Sequence, residues 1–143
     1  MAQSPLRDRL VTIALDWEQR FGVAPQITSA LSEYDAARLV GMSDDQYSDF
    51  MQDKTAVSRG SDFVFNGFSY QVKANRPSGK PGSKVTKVSK AANYHWDVLI
   101  WILYDHEYQL LEAWSWGVAD YKNRFDSVRW LRPEHYRLGT RLL

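Results

Sequence analysis

The strongest constraint on the fold is a run of seven apolar or aromatic residues, Val98-Leu99-Ile100-Trp101-Ile102-Leu103-Tyr104. A strand with one wet face shows a polar residue at every second position. This run shows none, so it reads as a central strand buried on both faces. Asp105-His106-Glu107 then reads as a turn, and Tyr108 to Trp116 alternates as the neighbouring strand. At 143 residues the chain is long enough for one domain, 1–143, to bury its own core. The expectation is an α/β domain with a central mixed sheet of four to five strands flanked by helices.

A second feature fixes a hairpin. Phe63-Val64-Phe65 and Phe68 to Val72 are strand-like, and Asn66-Gly67 lies between them. A type I′ turn needs positive φ at both central residues, which Asn and Gly tolerate best. The two arms are therefore antiparallel, and Asp62 meets Gln71-Val72-Lys73 at the open end. Gln71 and Lys73 share one face of their strand and Val72 takes the other. A carboxylate, an amide oxygen and an ammonium are gathered at one spot.

Upstream, Ser4-Pro5 reads as a helix start, with Leu6, Leu10, Ile13, Ala14, Trp17 and Phe21 forming an apolar face packed on the sheet. A second helix runs from Thr28 or Ser29 to Gly41, with Leu31, Ala37 and Val40 inward. Glu33 shares a face with Ala37 and Val40. Ser43-Asp44-Asp45-Gln46 reads as a capping box opening a short helix to about Asp53. Gly117 to Phe125 reads as another short helix.

The order of a Glu-bearing helix, an Asp-led hairpin, a Gln-x-Lys triplet and two apolar strands resembles the PD-(D/E)xK nuclease superfamily, the restriction-endonuclease-like fold. Ser61 stands where that family has its proline, and Gln71 stands where it has the second acid. The resemblance implies a metal-dependent endonuclease that hydrolyses DNA phosphodiester bonds. Asp62, Gln71, Lys73 and Glu33 would form its catalytic group. Mg²⁺ or Mn²⁺ would be held by Asp62, the Gln71 side-chain oxygen, the Val72 carbonyl and Glu33. Lys73 would contact water and the scissile phosphate. The alternative within the same resemblance is a catalytically inactive relative, a nucleic-acid-binding or docking subunit of a larger complex. A homodimer or partner subunit is expected, since cutting both strands needs two sites.

The formal net charge of +1 hides an uneven distribution. Residues 1–60 carry 6 Lys and Arg against 9 Asp and Glu, residues 61–95 carry 6 against 1, and residues 96–143 carry 6 against 7. The excess of positive charge follows directly after Asp62, as expected where a polyanion is brought to a site. Candidate DNA-backbone contacts are Arg59, Arg76, Lys80, Lys84, Lys87 and Lys90, several of them in a Pro-, Gly- and Ser-rich loop. In the tail, Arg129, Arg132, Arg137 and Arg141 alternate with Trp130, His135 and Tyr136, a pattern that suits either base stacking or packing on the sheet. His95 reads as a packed or surface residue, and Asp97 as the end of a loop.

Cysteine is absent, which excludes disulfides, thiolate metal sites and cysteine nucleophiles. Three histidines argue against a His-rich zinc site. With no eighteen-residue apolar span and no basic-then-apolar leader, a soluble cytoplasmic protein without membrane contact is expected.

Overall fold

The computed structural model describes residues 4–54 and 60–143. The sheet has five strands in the order β1 (Phe63–Phe65), β2 (Phe68–Asn75), β3 (Val98–Tyr104), β4 (Leu110–Gly117) and β5 (Thr140–Arg141). It is mixed: β2 and β3 are parallel, with Val72 opposite Ile100, and the other neighbours are antiparallel. The Val98–Tyr104 run is the central strand. Ile100, Ile102 and Tyr104 enter one core, while Leu99 and Trp101 enter the other.

Three helices cover the first face: α1 (Pro5–Phe21), α2 (Thr28–Leu39) and α3 (Asp44–Asp53). Ala14, Leu31, Ala36, Ala37, Phe63 and Val72 fill the space between them and the sheet. The second face is covered by α4 (Val118–Phe125), the short α5 (Pro133–Tyr136) and the connection from β2 to β3. That connection crosses over without a helix of its own. It is tied down by Val88, whose amide donates to Leu131 O at 3.0 Å. Beneath it lies an aromatic core in which Tyr121 packs against Trp96, Phe125 and Tyr136.

The local signals in the chain form the expected elements. Asn66 and Gly67 take φ of 51° and 80° and close the hairpin. Ser43 and Gln46 form a reciprocal capping box at the start of α3. Val85 to Ala92 is irregular apart from the Val88 bridge. The short α5 and the two-residue β5 are additions that no periodicity announced. Among the described residues, no helix is long and apolar enough to cross a membrane.

One element turns the opposite way from the sequence expectation. The apolar face of α1 assigned to the sheet does not face it: Leu6, Leu10, Ile13, Trp17 and Phe21 are exposed, and only Ala14 of that set is buried. The inward face is Arg7, Val11, Ala14 and the half-buried Leu15 and Glu18. Two ion pairs select it. Arg7 donates to both Asp35 oxygens at 2.7 Å, and Arg76 donates to both Glu18 oxygens at 2.8 and 2.9 Å. Small Ala14 between them lets the helix axis come close to the layer beneath.

Candidate functional site

β1 begins only at Phe63, which pairs with Tyr70, while its partner β2 runs on to Asn75. From Gln71 onward β2 therefore has no strand on that side among the described residues. Asp62 sits where the two strands part. Its amide donates to Tyr70 O at 2.7 Å, continuing the ladder by one bond, and its carboxylate then accepts the Val72 amide at 2.7 Å. A side chain thus caps the first orphaned backbone donor of the edge. Because a strand residue points its N–H and C=O to the same side, the Val72 carbonyl faces the same edge.

A polar cavity of about 250 Å³ opens there, lined by Glu33, Asp62, Gln71, Val72 and Lys73 together with Ser32 and Ser89. All five residues expected to form the catalytic and metal-binding group are therefore in one place. Val72 buries its side chain in the helical core, and Gln71 and Lys73 take the other face of β2. Glu33 reaches in from α2, whose inner surface packs on β2.

The electrostatics of this cavity are unbalanced. Glu33 shares a hydrogen bond with Asp62, and its carboxyl is pushed up to about 7, by burial first and by the Asp62 carboxylate second. Lys54 works in the opposite sense on Glu33 and donates its ammonium to Asp62 O at 2.9 Å. The Tyr47 hydroxyl is pushed up to about 12, by burial and then by Glu33, Asp62 and Asp35. The Gln71 amide nitrogen donates to Asp62 Oδ2 at 3.1 Å. Lys73 makes no hydrogen bond or ion pair among the described residues and keeps its three donors available.

The donor set consists of oxygens only: two carboxylates, one amide oxygen, one backbone carbonyl and nearby serine hydroxyls. Such a set suits a hard cation, and Mg²⁺ commonly takes one or two carboxylates and keeps several waters. Among the described residues no group of three or more His, Cys, Asp or Glu side chains is placed to hold a metal ion. The cavity has two, so the neutral oxygens would have to complete the shell.

The basic residues are less uniform than their sequence suggests. Arg59 lies outside the described residues. Arg76 is already engaged: it pairs with Glu18, donates to His106 O and lies over the Tyr108 ring at 4.3 Å. Lys90 donates to the carbonyls of Asp126 and Val128 and so caps the end of α4. Lys80, Lys84 and Lys87 are exposed. Lys87 sits 4.8 Å above the ring of exposed Trp130, which Arg129 also approaches at 5.5 Å. His95 is exposed and outside the cavity. Asp97 holds the Ser69 amide and hydroxyl, binding the start of β2 to the start of β3.

Four contributors escaped the sequence reading. Ser29 follows from helical spacing, since it precedes Glu33 by four residues on α2; Ser32, next to Glu33, lines the same cavity without such a signal. Ser89 arrives through the crossover and Lys54 through the end of α3, and neither carries a sequence signal for this place.

Fold and site together define an α/β protein with a small, acid- and oxygen-lined cavity at an open sheet edge. No protein-family model matches this chain, and no curated protein matches it.

Proposed function

We propose that this chain is a metal-dependent deoxyribonuclease of the restriction-endonuclease-like class, acting in the cavity at the β2 edge. The observation that carries the reading is the contact between the Glu33 and Asp62 carboxyls, in an oxygen-lined cavity with an unengaged Lys73 beside them. Two carboxyls held in contact gain nothing structurally unless a proton or a cation lies between them. Glu33, Asp62, the Val72 carbonyl and the Gln71 amide oxygen would hold Mg²⁺ or Mn²⁺. Bound there, the cation would supply charge neutralisation at a phosphate and acidify water.

The chain's own groups account for the rest. Lys73 offers a compact cationic donor to a non-bridging phosphate oxygen and to the attacking water. With its carboxyl near 7, Glu33 exchanges a proton readily at neutral pH. Hydrolysis then adds water across one P–O bond, and the departing oxygen takes up a proton. Exposed Lys80, Lys84 and Lys87 would neutralise backbone phosphates, and Trp130 with Lys87 and Arg129 offers a stacking surface flanked by positive charge.

One observation favours a second reading. The Gln71 amide nitrogen already donates to Asp62, so an uncharged group partly satisfies the carboxylate that a cation would occupy. In that reading the chain binds nucleic acid or docks into a larger complex without cutting.

Calorimetric titration of Mg²⁺ and Mn²⁺ into wild type and Asp62→Ala, with a short duplex present, separates the two. The nuclease reading expects binding and strand cleavage that both disappear in Asp62→Ala. Duplex binding that persists without metal uptake or cleavage would establish the non-catalytic reading. If no nucleic acid binds, with a salt slope near zero, both readings fall.

A further inference from the structure

The face of α1 turned away from the core is unusually apolar for a solvated helix. Leu6, Leu10, Ile13, Trp17 and Phe21 leave 65, 37, 62, 52 and 62% of their surfaces open. Residues 6, 10, 13 and 17 follow the alternating four–three spacing that lines up on one side of a helix and packs against a second helix. With an aromatic side chain presenting 150–250 Å², the stripe leaves roughly 500–600 Å² of apolar surface, most of the ~800 Å² that each partner contributes to a standard interface. Trp17 and Phe21 pack together at 4.7 Å and form a ridge at the C-terminal end. Beside the N-terminal end lies a cleft of about 380 Å³, lined by Leu6, Leu10, Leu31, Tyr34 and Tyr47. The helix thus carries an aromatic ridge at one end and an apolar cleft at the other.

We infer that α1 pairs with α1 of a second copy of this chain, antiparallel about a two-fold axis, with Trp17 of each copy entering the cleft beside Leu6 of the other. A two-fold contact requires one patch to be complementary to itself, and only the antiparallel arrangement brings each ridge to the opposite cleft. Leu10 then faces Ile13 of the second copy, and Leu6 faces Trp17. The charges agree with this register. Arg9 and Asp16 are exposed on one flank of the stripe, seven residues apart, and neither has a partner among the described residues. In antiparallel pairing this flank meets itself, so Arg9 of each copy lies opposite Asp16 of the other. A parallel two-fold pair would set this flank on opposite sides of the contact in the two copies, so Arg9 and Asp16 would not meet. The inference is independent of the cavity chemistry, and a dimer that binds no metal leaves it standing.

Sedimentation velocity over about 1 to 100 μM tests it, a range that brackets micromolar dissociation. Wild type is expected to shift from monomer to dimer. Trp17→Glu and Phe21→Glu are expected to weaken association, the first by about 100-fold, as loss of a packed aromatic anchor does. Thermal melting should stay near wild type, because both positions are solvent-facing in the single chain. Arg9→Asp and Asp16→Arg should each weaken the dimer, and the double variant, which restores both cross-pairs, should recover it. A wild type that stays monomeric throughout would assign the stripe to a different protein and overturn the inference. So would a dimer indifferent to Trp17→Glu, or a double variant no better than either single one.

Discussion

Two carboxylates on α2, two residues apart, meet opposite fates. Asp35 is fully buried, yet both its oxygens accept charge-assisted or hydroxyl hydrogen bonds. Arg7 donates to both its oxygens at 2.7 Å, and the Tyr104 hydroxyl donates at 2.5 Å. Glu33 is less buried, yet its own burial first and the Asp62 carboxylate second push its carboxyl up to about 7. The first is a closed account of charge: a bidentate cation and a phenol hold α1, α2 and β3 together. The second is left open. Opposite charges brought together by folding hold the structure, whereas like charges brought together at a cavity cost stability and point to a missing partner.

The comparison can be broken most directly at Asp35. Asp35→Ala leaves Arg7 buried without its counter-ion and should destabilise the protein by about 3–5 kcal/mol, read from urea unfolding midpoints at constant slope. A loss under about 1 kcal/mol would mean that the ion pair does not hold α1 in place.

The pH dependence tests the other side. The folded chain binds the Glu33 proton more tightly than the unfolded chain, whose glutamate has its ordinary value of 4.5. Stability without divalent cations should therefore fall as pH rises from 4.5 to 7, by about 2 kcal/mol from this group once solvent screening of a part-exposed carboxyl is allowed for, and stay lowered above 7. Glu33→Gln should flatten that segment of the curve, and a wild-type curve already flat there would remove the like-charge interpretation. Mg²⁺ at about ten times its dissociation constant should restore about 1.4 kcal/mol at pH 8. At pH 6 it should restore less, since the ligand must first lose its proton. The smallest effect is that of Glu33→Gln alone: about 1 kcal/mol of stabilisation at pH 8 in the metal-free protein, opposite in sign to Asp35→Ala.

Much of this was legible in order along the chain, because the signals are local. Asn66-Gly67 sets the turn, the turn sets the register, and the register brings Asp62 beside Gln71-Val72-Lys73. The face that Glu33 shares with Ala37 follows from helical period alone. What local signals could not reveal is how the charges close. Nothing near Arg76 or Lys90 announces that one is held by Glu18 and the other caps α4, so both looked as free as Lys84. Lys54 and Ser89 reach the cavity from loops whose path depends on the whole packing.

The helix α1 marks the boundary most clearly. Its sequence determined a helix from the Ser4-Pro5 cap to Gly22, with two usable stripes. Hydropathy favours the stripe of Leu6, Leu10, Ile13, Trp17 and Phe21. Tertiary structure chose the other, because Asp35 and Arg76, contributed by distant elements, find their counter-ions in Arg7 and Glu18. A buried carboxylate without its cation costs more than an exposed leucine gains by burial, so two long-range ion pairs set the rotation of the helix.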